Sequence, residues 1–131
     1  MSRPLTVYTY ANCDTCRRAT KWLRAREIAF VEKPIRQTPP TVPELKTMLA
    51  RLGGTCALKK LFNTSGGDYR EQKLGEKLPT MTEGEAFALL AGNGNLVKRP
   101  FVLGAAGGVG GKDGVGLVGF DEAAWSAALG V

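Results

Sequence analysis

The stretch TYANCDTCRRATKWL, residues 9–23, decides the fold because it places two cysteines where a strand gives way to a helix. The preceding residues, Leu5–Tyr10, are β-branched and aromatic, which is typical of a strand. From Cys13 or the next residue to about Arg26, apolar side chains recur at helical spacing. We therefore expect Cys13 at the start of a helix and Cys16 one turn further along.

The flanking segments predict a small mixed sheet. A second strand is predicted over Glu27–Glu32, ending near Pro34, and a strand, a helix and a strand with short connections form a βαβ unit. These two strands should therefore be parallel. Strand signals return at Phe101–Leu103 and Leu117–Phe120, which favours a hairpin around the glycine-rich residues 104–116.

Between these segments the pattern is helical. Thr41 and Thr82 each stand three residues before a glutamate, the capping-box signature of a helix start. A short helical piece, Ala57–Phe62, leads into the polar stretch 63–70, and residues from about 38 to 92 are predicted to form a helical insertion. Without it the order is βαβ then ββα, which predicts an α/β, thioredoxin-like (glutaredoxin-like) fold for one domain spanning the whole chain.

Composition restricts the chemistry. The 131 residues include no histidine, which excludes Cys-His and Ser-His-Asp catalysis. The chain has only three cysteines and no signal-peptide pattern, so we expect a cytoplasmic protein. It has no long apolar run, so we expect no membrane-spanning helix. A net charge of +6 favours anionic partners, but the basic residues form no long stripe, so we expect no direct nucleic-acid binding. Nothing predicts an obligate interface, so a monomer is expected.

A helix start is a setting in which a cysteine becomes reactive. Only the thiolate attacks, and the unpaired N–H groups of a first turn favour an anion. The sulfur of Cys13 could accept N–H bonds around Thr15 and Cys16, and Arg17 and Arg18 should add positive potential. We predict that Cys13 is the nucleophile and that Cys16 is the resolving thiol.

Two other interpretations of the cysteine pair were weighed. A structural zinc site normally needs four Cys or His ligands, and Cys56 is the only further thiol. Two inert cysteines do not suit a helix start flanked by arginines. A redox dithiol with no bound metal is therefore preferred, and Cys56 is expected to be a packed, small apolar residue.

The second informative position is Arg99-Pro100. A proline directly before a strand keeps Arg99 out of a helix, and in a thioredoxin-like layout it stands where a cis-proline faces the nucleophile. Arg99 would then point at the site, where a guanidinium suits an oxyanion, a carboxylate or a thiolate. The alternative is a surface arginine beside an edge strand.

Four stretches carry a family resemblance: NCDTCRRATKWL (12–23), LKKLFNTSGGDYRE (58–71), NGNLVKRPFVLG (93–104) and LVGF (117–120). Together they resemble the glutaredoxin-linked arsenate reductases and the Spx-like transcriptional regulators, closest to the arsenate-reductase-related branch. The resemblance implies that Cys13 is the redox-active cysteine and that Arg99 helps to bind an oxyanion. It also implies that Lys59 occupies the position of a second anion-binding arginine, keeping the charge but not the bidentate fork.

The predicted catalytic residues are Cys13, Cys16 and Arg99, and the predicted anion-binding residues are Asn12, Thr15, Lys59, Arg99 and Pro100. Two functions follow from the pattern and the resemblance. One is a thiol-disulfide oxidoreductase without a bound cofactor that uses glutathione as co-substrate, or glutaredoxin or thioredoxin as partner. The other is a redox-switched regulator that binds the RNA polymerase α subunit.

Overall fold

The computed structural model describes residues 4–64, 66–104 and 114–130. The chain divides into two compact units, one formed by Met1–Pro34 with Arg99–Val131 and the other by Ile35–Lys98. Among the helices of the described ranges, none is both long enough and apolar enough to cross a lipid bilayer.

The first unit is built on a four-stranded sheet in the order β2-β1-β3-β4. Its strands are β1 Leu5–Thr9, β2 Phe30–Pro34, β3 Phe101–Gly104 and β4 Val115–Val118. β1 runs parallel to β2 and antiparallel to β3, and β3 is antiparallel to β4. The parallel βαβ pair and the hairpin are thus confirmed, and the arrangement is the predicted thioredoxin-like α/β fold. Most of the glycine-rich loop predicted at 104–116 lies outside the described residues.

Two helices complete this unit, α1 Asp14–Ala25 and α6 Glu122–Leu129. Asp121 caps α6, because its Oδ1 accepts the N–H of Ala124 at 3.1 Å. The core combines strand and helix residues: Leu5, Val7, Ala19, Trp22, Leu23, Val102, Val115, Trp125 and Leu129. Burial of this apolar face fixes the side of the sheet on which α1 lies, and so fixes the position of its N-terminus.

Two strand boundaries differ from the prediction, and each difference has a backbone cause. β2 begins at Phe30, not Glu27, because Glu27 has a φ of 55° and Ile28 donates its N–H to the carbonyl of Leu23 at 3.0 Å. These residues close the end of α1 instead of extending the strand. β4 ends at Val118 because Gly119 has a φ of 71°, which turns the chain away.

The second unit is helical. Its elements are α2 Val42–Leu52, a 3₁₀ helix Thr55–Leu61, α3 Gly67–Glu71, α4 Leu74–Lys77, a 3₁₀ turn Leu78–Thr80, α5 Glu83–Gly92 and a 3₁₀ turn Gly94–Leu96. Both predicted capping boxes are formed, at Thr41 and at Thr82. The predicted piece Ala57–Phe62 is the 3₁₀ helix. Within the predicted helical insertion, α3 begins inside the polar stretch 63–70.

Candidate active site

Cys13 is the N-cap of α1. Its backbone is extended, with φ −106° and ψ 112°, and its Sγ accepts the N–H of Cys16 at 3.3 Å. Its own N–H donates to the carbonyl of Tyr10 at 3.1 Å, and its carbonyl accepts the N–H of Arg17 at 3.0 Å. The sulfur therefore lies at the positive end of the helix dipole, and backbone hydrogen bonds on both sides of Cys13 hold the residue in place.

The surroundings of Cys13 favour its thiolate. Partial burial alone would raise the pKa of the thiol, but hydrogen bonds from the Cys16 side chain and backbone N–H oppose this. The charge of Arg99 and its hydrogen bond to the sulfur lower the pKa further. The net result is a Cys13 pKa below that of an ordinary cysteine, the property expected of an attacking thiol.

Arg99 is the cation that faces this sulfur. Its peptide bond with Pro100 is cis, and its guanidinium carbon lies 4.8 Å from the centroid of the Tyr10 ring. Tyr10 in turn accepts a hydrogen bond on its hydroxyl from Asn12 Nδ2 at 3.4 Å. The guanidinium thus contacts both the aromatic ring of Tyr10 and the Cys13 sulfur.

Arg17 and Arg18, which the sequence suggested as the source of positive potential, are engaged elsewhere. Arg17 forms an ion pair with Asp14 and donates to the carbonyl of Ala11 at 2.8 Å. The Arg18 guanidinium carbon lies 5.8 Å from the centroid of the Phe120 ring. Arg17 stays at the start of the helix, but its guanidinium is taken up by Asp14 and the Ala11 carbonyl, whereas Arg99, which directly precedes Pro100 and β3, reaches the Cys13 sulfur.

Cys16 differs sharply from Cys13 although it is one turn away. It is only 2% exposed, and its backbone carbonyl accepts a hydrogen bond from Thr20 Oγ1 at 3.2 Å. Burial raises the pKa of Cys16 to about 12, assisted by its hydrogen bond to Cys13 and by the Cys13 charge. All three cysteines are free thiols, so this is the reduced form of the pair.

The structure brings together part of the predicted set. Cys13, Cys16 and Arg99 meet at the start of α1, where Thr15 is half-buried and Asn12 is exposed, and Pro100, the residue after Arg99, is buried. Lys59 lies in the 3₁₀ helix of the other compact unit, exposed to solvent. The anion-binding role of Lys59 stays a prediction.

The expectation for Cys56 is wrong, because its side chain is exposed. In a 3₁₀ helix residues three apart share a face, so Cys56 lies on the same outward side as Lys59 while Ala57, Leu58 and Leu61 are buried. In the described ranges, no three Cys, Asp or Glu side chains are grouped so that they could hold a metal ion.

The sequence reasoning missed a polar pair beside this site. Thr9, the last residue of β1, is buried and donates its hydroxyl proton to Glu32 Oε2 at 2.5 Å. The signal was available, because parallel strands bring their carboxyl ends to one edge of the sheet. The predicted strand Glu27–Glu32 does not by itself give Glu32 a partner, because the register between the two strands cannot be read from the sequence.

The fold and the site define a class: a thioredoxin-like protein with a Cys-x-x-Cys pair at the start of its first helix and a cis-proline beside the first cysteine. The model of the ArsC family matches residues 8–128, so the chain belongs to the ArsC family. Both the family resemblance and the fold expected from sequence are thereby confirmed.

Three relatives illustrate this membership. The uncharacterised protein YusI of Bacillus subtilis is 48% identical over 96 residues, which cover 73% of this chain and 80% of YusI. The global transcriptional regulator Spx of the same organism is 30% identical over 100 residues, covering 76% of this chain and 72% of Spx. The crystal structure of an ArsC-family-related protein from Bacteroides fragilis superposes with a TM-score of 0.82 at 41% identity, covering 98% of this chain and 99% of that one.

Proposed function

We propose that this chain is a thiol-disulfide oxidoreductase of the ArsC family in which Cys13 attacks and Cys16 resolves. The observation that carries the proposal is the Cys13 sulfur at the N-cap of α1 with the Arg99 guanidinium facing it. A thiol placed in this way is a thiolate at lower pH than an ordinary cysteine, and the thiolate is the attacking species.

In the first step the Cys13 thiolate attacks one sulfur of a disulfide substrate. A bond forms between Sγ of Cys13 and that sulfur, the substrate S–S bond breaks, and the second sulfur leaves as a thiolate that takes a proton from water. Arg99 can stabilise negative charge on the attacking sulfur before the step and on an anionic substrate group beside it. Arg99 thereby serves both catalysis and binding.

The second step depends on the change of charge at Cys13. While Cys13 is a thiolate, its charge and its hydrogen bond help to raise the pKa of Cys16, so Cys16 stays protonated. Forming the mixed disulfide removes that charge, and the pKa of Cys16 falls. Cys16 then gives its proton to water, and its thiolate forms a bond to Sγ of Cys13 while the bond from Cys13 to the substrate sulfur breaks. That sulfur leaves as a thiolate, takes a proton from water, and the Cys13–Cys16 disulfide remains.

The proposed co-substrate is glutathione, a small anionic thiol, with no bound cofactor. It would reduce the Cys13–Cys16 disulfide, directly or through glutaredoxin or thioredoxin, in the reducing environment of the cytoplasm. Arg99 and Pro100, with Asn12 and Thr15 at the helix start, are the residues proposed to hold its anionic groups. Lys59 is proposed as a further contact.

A second function is favoured by the 30% identity to the global transcriptional regulator Spx and by the Cys13–Cys16 pair, whose oxidation could act as a switch. The chain would then bind the RNA polymerase α subunit in one redox state and turn over no substrate. Capture of that subunit by the reduced and the oxidised protein, measured side by side, separates this function from the first.

The assay for the main proposal follows reduction of small disulfides and of arsenate, with glutathione or thioredoxin as electron donor. We expect turnover by the natural chain and by Cys56→Ser, which removes an exposed thiol outside the site. Cys13→Ser should abolish turnover. Equal activity of Cys13→Ser and the natural chain would contradict the role of Cys13 as the nucleophile. Redox-dependent polymerase capture without any turnover would favour the regulator over the oxidoreductase.

A further inference from the structure

A cleft of about 280 Å³ opens beside the loop that carries Cys13. It is lined by Thr9, Ala11, Glu32 and Pro34. Thr9 and Pro34 are the last residues of β1 and β2, so the cleft lies at the carboxyl ends of two parallel strands. Ala11 is two residues before Cys13, which places the backbone of the nucleophile within about 7 Å of the cleft wall.

The cleft carries one carboxylate, Glu32, which is ion-paired with Arg24 through one of its oxygens. Glu32 Oε2 accepts the Thr9 hydroxyl proton, and Oε1 lies 3.6 Å from Arg24 Nη2, beyond hydrogen-bond distance. The Glu32 side chain is 43% exposed, so Oε1 remains accessible. Because Thr9 is buried and its proton is committed to Glu32, its hydroxyl can only accept from a ligand. None of the four lining residues is a cation, and the two arginines that touch them, Arg17 at the Ala11 carbonyl and Arg24 beside Glu32, each have an acidic partner.

Such a wall suits a small cation and disfavours an anion. A primary ammonium has three donors and no acceptor, which matches a carboxylate oxygen, a hydroxyl lone pair and a backbone carbonyl. The Ala11 carbonyl accepts from Arg17 and keeps its second lone pair. The remaining surface, from Ala11 and Pro34, is apolar and would contact the methylenes between an ammonium and a sulfur.

We propose that this cleft binds the ammonium group of an aminothiol disulfide and that Glu32 determines this preference. The inference rests on the proposed function, since Cys13 must be the nucleophile for a neighbouring subsite to select the substrate. With the ammonium at Glu32, one substrate sulfur lies over Cys13. The Cys13 thiolate forms a bond to it, the substrate S–S bond breaks, and the aminothiol leaves as a thiolate that takes a proton from water.

The test compares the reactivity of Cys13 toward reagents that differ only in charge. In the Cys16→Ser/Cys56→Ser protein, Cys13 is the remaining thiol, and its labelling rate is measured with ethylammonium and ethylsulfonate methanethiosulfonates. Glu32→Gln should lower the ratio of the cationic to the anionic labelling rate about tenfold, because the Glu32 carboxylate and the reagent's ammonium group would lie close together and partly shielded from solvent. Glu27→Gln, which removes the same charge at an exposed turn, should leave the ratio within about twofold.

A further variant strengthens the test. Arg24→Gln removes the cation nearest to Glu32 Oε1, so it should raise the preference for the ethylammonium reagent. An unchanged ratio in Glu32→Gln, or an equal fall in Glu27→Gln, overturns the assignment of the cleft. This readout needs no turnover. Failure of the natural chain to reduce cystamine or dithiodiglycolate would instead contradict the proposed oxidoreductase, so the two failures are distinguishable.

Discussion

The Cys13 sulfur receives two kinds of stabilising contact. One comes from its own helix, through the N–H of Cys16, and the other from the guanidinium of Arg99. The first is local in sequence, whereas the second joins residues 86 positions apart and exists only after the sheet has formed. The reactivity of the cysteine therefore depends on the complete first unit as well as on its helix.

Replacing Arg99 with methionine removes the charge and the hydrogen bond that lower the pKa of Cys13. The thiolate will then form at higher pH, and alkylation by iodoacetamide at pH 7 will slow by about tenfold for each unit that the pKa rises. The measurement is the alkylation rate against pH in a Cys56→Ser background. Arg18→Met, which removes a cation that lies over Phe120, should leave the pH midpoint of the alkylation rate unchanged. A shift of that midpoint in both variants would show a general charge effect.

The site residues were predictable where the chemistry is local. A cysteine at a helix start follows from strand and helix patterns, and a proline before a strand drew attention to Arg99. The partners that come from distant elements were not predictable in the same way. Arg17 and Arg18 are neighbours of Cys13 in sequence, but their guanidinium groups contact other residues. The Thr9–Glu32 pair depends on strand register.

Helix α2 owes its start to the Thr41 capping box. Thr41 Oγ1 accepts the N–H of Glu44 at 3.3 Å, and the Glu44 carboxylate accepts the N–H of Thr41 at 3.0 Å. Thr41→Ala should lower the free energy of unfolding by about 1 kcal/mol. Urea denaturation measures the change, provided that the slope stays constant.

Thr47→Ala is the matched control for this cap. Thr47 is exposed within the same helix and donates its hydroxyl to the carbonyl of Pro43, a contact that adds little to helix stability. Its replacement should change the free energy of unfolding by less than about 0.5 kcal/mol. If Thr47→Ala costs as much as Thr41→Ala, the cap does not define the start of α2.

Sequence patterns located the elements that have strong end signals and missed those that lack them. The helices α2 and α5 begin at capping boxes and carry apolar faces, so both were found. The helices α3 and α4 are only five and four residues long, and both lack a side-chain cap. Only tertiary contacts, such as the burial of Tyr69 and Leu74, make such short helices stable.

In the second compact unit as a whole, the entering and leaving chain segments pass very close together. Gly94 is buried, and a Cβ added there would lie 1.9 Å from the carbonyl oxygen of Ile35. Because the obstacle is backbone, Gly94→Ala should lower the free energy of unfolding by about 3 kcal/mol, the upper part of the overpacking range. Thermal unfolding followed by circular dichroism will report the loss as a lower Tm.

For Gly92→Ala, two residues away, we expect the opposite change in the free energy of unfolding. Gly92 is the last residue of α5, and a Cβ there would meet nothing within 4 Å. Removing the backbone freedom of glycine should raise the free energy of unfolding by about 0.5 kcal/mol. A comparable loss in both variants would mean that the close approach to Ile35 is not what requires glycine at position 94.

For the whole molecule, the central claim is that Cys13 attacks and Cys16 resolves. Intact-mass spectrometry of the Cys16→Ser/Cys56→Ser protein after treatment with oxidised glutathione tests it most directly. We expect one glutathione adduct on the double variant, located on Cys13. The single variant Cys56→Ser should instead lose two hydrogens and form the Cys13–Cys16 disulfide. Absence of the adduct from the double variant, or its appearance on a residue other than Cys13, would contradict the mechanism.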